Sequence, residues 1–200
     1  MELVRNTNFS ALLVLLSCFC LQFGSATDTI TAAKFINDSE TIISNGGDFK
    51  LGFFSPPNST ERYVGIWYAE ISVFTVVWVA NRNNPLKNSS GVLTISEDGN
   101  LVVLEGQKKV LWSSNLTNSV VNSSALLLDS GNLVLQENTT GAIIWESFQH
   151  PSNAYISKMK ISINVTSGEK VQLTSWKSPS DPSIGNFSAG LEMMKKEHSI

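Results

Sequence analysis

Val110-Leu111-Trp112-Ser113-Ser114-Asn115 is one of three related segments in this chain. The others are Val76-Val77-Trp78-Val79-Ala80-Asn81 and Ile143-Ile144-Trp145-Glu146-Ser147, so the tryptophans are separated by 34 and 33 residues. A period of this length marks a unit that cannot bury its own apolar face and must stack against its copies. Upstream of each tryptophan a glycine opens a β-prone run: Gly65-Ile66-Trp67-Tyr68, Gly99-Asn100-Leu101-Val102 and Gly131-Asn132-Leu133-Val134. These glycines precede their tryptophans by 13, 13 and 14 residues, and the reading takes them as equivalent.

Each unit reads as short strands joined by turns. Val92 to Ser96 runs into Glu97-Asp98-Gly99-Asn100 and then Leu101 to Leu104. Asp-Gly favours a hairpin because glycine accepts a positive φ without a Cβ clash. Ala125 to Leu128, Asp129-Ser130-Gly131-Asn132 and Leu133 to Leu135 repeat the pattern. Alternation along the strand puts Leu101 and Val103 on one face and Asn100, Val102 and Leu104 on the other. The expected fold is therefore all-β, with three sheets closed around a common axis in pseudo-threefold symmetry between Thr29 and His150. Trp67, Trp78, Trp112 and Trp145 read as core packing rather than as platforms for sugar rings. After Pro151 the register fails, and Ile161 to Val165, Val171 to Thr174 and the turn-rich Ser178 to Ser183 read as an incomplete C-terminal β segment.

Composition narrows the function. Charged residues make up 16% of the 200, hydrophobic ones 42%, and the net charge is −3. Neither nucleic acid nor an anionic membrane surface would be drawn to such a chain. Two histidines and two cysteines leave little from which to build a metal site or a thiol enzyme, so no metal or cofactor is expected. Glu97, Asp98, Glu105 and Glu146 show no spacing that suggests an opposed catalytic pair. His150 reads as a surface turn residue, and Arg82, in Asn81-Arg82-Asn83-Asn84-Pro85, as a donor that braces a loop. A non-catalytic binding module remains.

Arg5 followed by the apolar run Phe9 to Leu21, with Gly24 and Ala26 beyond it, reads as a secretory signal peptide over residues 1–26. The run is shorter than the roughly 20 residues of a membrane span, and no later segment is long and apolar enough. Cys18 and Cys20 fall inside that segment, so core packing alone would hold the mature fold. Beyond the signal peptide Asn-x-Ser/Thr occurs at Asn37, Asn58, Asn88, Asn115, Asn122, Asn138, Asn164 and Asn186, against about four expected by chance from the composition. That excess points to a glycosylated, extracellular protein.

The order of segments resembles a known family. Asn45-Gly46-Gly47-Asp48-Phe49-Lys50-Leu51-Gly52-Phe53-Phe54-Ser55-Pro56, Val64 to Tyr68, Thr75 to Arg82, Trp145-Glu146-Ser147-Phe148 and Leu173 to Ser178 are similar to the bulb-type lectin domain of plant S-locus glycoproteins and G-type lectin receptor-like kinases. The resemblance implies a β-prism II fold. It implies a lectin domain over 27–152, with 153–200 the start of a second lectin-like region. Complete members continue into Cys-rich modules, a membrane span and a Ser/Thr kinase. This chain holds no Gly-rich phosphate loop, His-Arg-Asp or Asp-Phe-Gly, so it is not expected to act as an enzyme itself. One departure is Ser157-Lys158 before Met159-Lys160, where the family shows Pro-Gly.

Mannose-binding members carry Gln-x-Asp-x-Asn-x-Val-x-Tyr, whose alternation places all five side chains on one face. Carried over residue by residue, the best copy is Ser96, Asp98, Asn100, Val102 and Leu104. Asp98, Asn100 and Val102 match, whereas Ser96 is too short for the Gln and Leu104 lacks the phenol oxygen. The last copy reads Leu128, Ser130, Asn132, Val134 and Gln136, without its carboxylate, and the first has Gly65 and Trp67 in place of Asn and Val. The other reading of Asp98-Gly99-Asn100 is a plain hairpin turn whose polar groups bond locally. The resemblance implies a secreted, weak mannose-type lectin located in the apoplast, or at the plasma membrane within a longer receptor. The alternatives are a protein-interaction or dimerisation ectodomain with a peptide or cell-wall ligand and decayed sugar sites, or a fragment of a receptor kinase.

Overall fold

The computed structural model describes residues 28–193 apart from Gln107. The expected signal peptide, with Cys18 and Cys20, lies outside the described residues. Three short strands come first: β1 (Thr29–Ile30), β2 (Ile36–Asn37) and β3 (Thr41–Ile43). Three meanders follow: β4 (Phe49–Phe54), β5 (Tyr63–Tyr68) and β6 (Val76–Val79); β7 (Gly91–Ile95), β8 (Leu101–Glu105) and β9 (Lys109–Ser113); β10 (Ser123–Leu127), β11 (Leu133–Glu137) and β12 (Ile143–Glu146). A 3-10 turn, Ser147–Gln149, leads to β13 (Ser162–Ile163), β14 (Lys170–Val171), β15 (Leu173–Ser178) and β16 (Asp181–Ala189).

The opening strands lace the meanders together. β3 joins β4–β6 as sheet I, β2 joins β7–β9 as sheet II, and β1 joins β10–β12 as sheet III, each strand pairing antiparallel. One inward rung recurs in all three: Ile42–Leu51–Ile66–Trp78, Ile36–Leu93–Val103–Trp112 and Ile30–Ala125–Leu135–Trp145. Beside the rung each sheet has a β-bulge whose extra residue lies on the tryptophan strand, Val77, Leu111 or Ile144, so that Trp67, Leu104 and Gln136 pair with Val76, Val110 and Ile143. These inward side chains form one core cluster, so the sheets are the walls of a β-prism rather than separate units.

At the axis the three tryptophans meet. Ring centroids are 5.7 Å (Trp78–Trp112), 5.9 Å (Trp78–Trp145) and 5.7 Å (Trp112–Trp145) apart, with interplanar angles of 79°, 66° and 71°. Each ring edge faces a neighbouring ring, the arrangement that the aromatic quadrupole favours by about 0.5–1.5 kcal/mol per pair. The buried indole of Trp78 also donates its Nε1–H to the His150 carbonyl at 2.9 Å, and the His150 ring stacks on Trp145 at 5.5 Å and 8°. His150 is thus an exposed turn residue, as expected, that also lids the triad.

The first repeat corrects the expected register. Gly65 lies mid-strand, opposite Gly52 and Val79, and it is equivalent to Val102 and Val134 rather than to the turn residues Gly99 and Gly131. A seven-residue loop, 69–75, separates β5 from β6, against three and five residues in the other meanders, and that length offset the spacing. Gly65 has a packing reason: an added Cβ would lie 2.6 Å from Phe54 Cε1 and 2.8 Å from the Trp78 carbonyl. Gly99 has a conformational one, with φ +85° and the Val120 carbonyl at 1.9 Å from where a Cβ would stand.

Sheet I is also covered on its outer face. Phe54, Tyr63, Val76 and Val79 form a second cluster with Trp67 and Trp176, and Phe54 stacks on Trp176 at 6.3 Å. Trp67 therefore packs into apolar surroundings as expected, but in this outer cluster rather than with the three axial indoles. Trp176 comes from the β15–β16 hairpin, which Arg82 holds in place. Arg82 Nε donates to the Pro182 carbonyl at 2.8 Å, and Nη2 to the carbonyls of Ser175 (2.8 Å) and Thr174 (3.2 Å). The bracing role expected of Arg82 is met, across some hundred residues of sequence. Ile156 and Met159 bury into the main core, and Lys158 adopts φ +70°, a left-handed conformation that costs about 1–2 kcal/mol in a residue with a Cβ.

If the prism depends on its axis, Trp145→Ala will lower unfolding free energy in urea by about 3–5 kcal/mol. Ile143→Ala, two residues away and 57% exposed, will stay within about 0.5 kcal/mol.

Candidate carbohydrate-binding site

Asn100 is where chain direction, burial and hydrogen bonding converge on sheet II. It ends the β7–β8 turn, is 8% exposed, and its Oδ1 accepts from Ser114 Oγ (2.9 Å) and Leu116 N (2.7 Å). Ser114 Oγ in turn accepts from Leu101 N at 3.1 Å. Sheet III repeats this clip: Asn132 Oδ1 accepts from Ser147 Oγ (3.0 Å) and Phe148 N (3.2 Å), and Ser147 Oγ accepts from Leu133 N (3.0 Å). Sheet I has Tyr63 and Ala80 at those two places, so Asn81 substitutes, its Oδ1 accepting directly from Val64 N at 2.8 Å. In each sheet the amide ties the middle strand to the segment after its tryptophan.

The remaining sheet II residues surround Asn100. Its Nδ2 donates to Asp98 Oδ2 at 2.9 Å, and Ser96 Oγ donates to Asp98 Oδ1. Those two side chains hold the exposed Asp98 carboxyl below the usual carboxylate range. Val102 is buried between Thr94 and Ser113 of the adjacent strands, while Leu104 is half-buried between Val92 and Val110. The five side chains therefore share one outer strip, with a charged end at Asp98 and an apolar end at Leu104. Local bonding already uses much of the polar end. Asp98 keeps solvent-facing acceptor capacity, since a carboxylate accepts about four hydrogen bonds.

The other copies differ. On sheet III, whose copy of the motif has Ser130 in the carboxylate position, a carboxylate reaches the amide from the neighbouring strand instead, with Asn132 Nδ2 donating to Glu146 Oε2 at 2.7 Å. Glu146 follows the tryptophan of β12, and only strand pairing brings it beside Asn132. On sheet I the strip reads Tyr63, Gly65 and Trp67, buried under the aromatic cluster; Tyr63 donates its hydroxyl to Glu61 Oε2 at 2.9 Å. No sugar strip is open there.

A second concavity went unread in the sequence. An open pocket of about 540 Å³ lies against the indole triad, lined by Trp112, Trp145, Arg82, Asn83, Asn115 and Thr117 among others. Its lining comes from all three units and from His150, Pro151 and Ser152 after the 3-10 turn, and no linear motif announces it.

The D-mannose binding lectin family profile matches residues 75–177. The chain belongs to that family. It is also similar to G-type lectin S-receptor-like serine/threonine-protein kinases of Arabidopsis thaliana. One is 48% identical over 194 residues, covering 96% of this chain and 24% of the relative. Another is 50% identical over 184 residues, covering 90% and 22%. The chain thus spans about a quarter of the length of these relatives. Among solved structures, mannose-binding lectins from Gastrodia elata align with a TM-score of 0.47 and 21% identity, covering 60% of this chain and 96% of that one.

The clip predicts a structural phenotype for Asn100→Ala: a loss of about 1–3 kcal/mol, because Leu116 N and Ser114 Oγ lose their acceptor. The Asp98 carboxyl will titrate below the usual range by NMR and move upward in Ser96→Ala. Its stabilising contribution is complete above the ordinary Asp pKa and fades as pH falls through the lowered one.

Proposed function

We propose that this protein is a secreted, non-catalytic recognition module that binds mannose-type glycans weakly through the outer strip of sheet II. In this reading residues 1–26 are the signal peptide, 27–152 the lectin domain and 153–200 the start of a second lectin-like region of an ectodomain like those of receptor kinases. Membership in a D-mannose binding lectin family supports the ligand class. The observation that carries the site is the exposed, ionised Asp98 carboxylate at the end of the strip that leads to Leu104. Sugar hydroxyls would donate to Asp98, and the apolar ring face would rest toward Leu104.

Two polar partners are missing relative to the family motif, the amide at Ser96 and the phenol at Leu104. At ~0.5–1.5 kcal/mol each, their loss weakens binding about fivefold to more than a hundredfold. One observation favours a second reading. Ser96, Asp98 and Asn100 bond chiefly to one another, as in a module whose sugar site has decayed and which now binds protein or peptide.

Calorimetric titration with methyl mannoside separates the readings. The lectin reading expects heat that Asp98→Ala abolishes with the fold intact, and tighter binding by about five- to a hundredfold in the double variant S96Q/L104Y. No heat at millimolar sugar in either the native protein or the double variant would sink it.

A further inference from the structure

We propose that the open pocket beside the indole triad is filled from its own rim: Asn115 carries an N-linked glycan whose first N-acetylglucosamine lies on Trp112. This rests on the secretion reading, since the sugar is attached only along the secretory route.

The eight sequon asparagines beyond residue 26 all lie on the surface, whereas the buried Asn81, Asn100 and Asn132 fall outside any sequon. This sorting is what a glycosylated fold requires, because an attached oligosaccharide cannot be buried. Asn115 stands apart for its surroundings. Trp112, three residues before it, and Thr117, two residues after it, line the same 540 Å³ pocket, within the roughly 300–1,000 Å³ typical of small-ligand sites. The chain reverses there with Asn115 at φ +50°. The turn is pinned on both sides: Asn115 N donates to Ser113 Oγ at 3.1 Å and Leu116 N to Asn100 Oδ1 at 2.7 Å. The Asn115 carboxamide itself makes no hydrogen bond among the described residues, so its Nδ2 is free to carry a substituent.

The surface it faces suits a pyranose. Trp112 is the least buried of the three axial indoles. Trp78 spends its N–H on His150, but the Trp112 N–H has no partner among the described residues and is not sealed from solvent. The C–H groups on one face of a sugar ring carry slight positive charge and are attracted to the negative face of an indole. The acetamido carbonyl of N-acetylglucosamine, a substituent on C2, offers an acceptor on the same sugar residue. A tether at Asn115 presents that ring at high effective concentration without a separate binding step.

Attachment balances as a substitution. Asn115 Nδ2 attacks the anomeric carbon of an oligosaccharide carried on a polyprenyl pyrophosphate. The N–C1 bond forms as the C1–O bond to pyrophosphate breaks, the lipid pyrophosphate leaves, and Nδ2 gives up one proton. Thr117 completes the acceptor signal. Once the chain has folded, the first sugar covers indole surface that water would otherwise wet.

The test uses the full chain secreted from a eukaryotic host, with glycopeptide mass spectrometry at each sequon, melting temperature and acrylamide quenching of tryptophan fluorescence. Thr117→Ala removes the acceptor signal while leaving Asn115 and Trp112. Thr60→Ala does the same for Asn58 and serves as comparison. We expect Asn115 to be occupied, and Thr117→Ala to lower Tm by about 2–4 °C and increase quenching. Thr60→Ala should do neither, and Thr117→Ala made in a bacterial cytosol should leave Tm unchanged. Trimming the glycan to its first N-acetylglucosamine should preserve the native values. Asn115 bare while other sequons are occupied, or an occupied Asn115 whose loss matches that of Asn58, overturns the proposal. Absence of glycan at all eight sequons overturns the secretion reading and this proposal with it.

Discussion

Three indoles packed edge to face on one axis are the constraint from which the rest of this structure follows. Each sheet is too small to hide its own inner face, and each contributes one tryptophan to a cluster that has no counterpart within a single repeat. The rung behind each indole shows how closely the walls must match. Ile42–Leu51–Ile66, Ile36–Leu93–Val103 and Ile30–Ala125–Leu135 keep the same depth, with the small Ala125 in the third offsetting no break in register. The opening fifteen residues, 29–43, strengthen this closure by giving one strand to every wall in turn. Closure of this kind also leaves few free sheet edges facing the core.

Symmetry at the axis does not extend to the outer faces, where the three walls differ in chemistry. Sheet I has exchanged its polar strip for Tyr63, Gly65 and Trp67, over which Phe54 and Trp176 pack. That wall is the dock for the C-terminal hairpin, fastened by Arg82. Sheet III keeps the amide clip but draws its carboxylate from Glu146. Sheet II alone among the three keeps Asp98, Asn100 and Val102 in the order of the sugar-binding motif. Asn100 serves two purposes there, since the amide that faces Asp98 also anchors the loop after Trp112.

Much of the fold was legible from residues alone because it depends on local, repeating signals. The tryptophan period, the Asp98-Gly99 hairpin and the alternation of Leu101 and Val103 all survive in the structure. What failed was register in the first repeat, where a longer β5–β6 loop shifted the spacing while Gly65 mimicked a turn glycine. Pairing was equally hidden. Glu146 reaches Asn132 only across a ladder, Arg82 finds its carbonyls from the far end of the chain, and Trp67 faces outward by plain alternation with the inward Ile66, a parity that is fixed only once the strand's register is known. Ser96 and Leu104 lie on the expected strip, and the bonds of Asp98 to Ser96 and Asn100 are the local ones that the hairpin-turn reading expects.

The account stands or falls on the indole cluster, and a nuclear Overhauser spectrum with isotope-labelled tryptophan reads it directly. Cross-peaks should link the rings of Trp78, Trp112 and Trp145 in all three pairs, while Trp67 and Trp176 show contacts to Phe54 and none to the triad. Three axial tryptophans that see only their own sequence neighbours would contradict it.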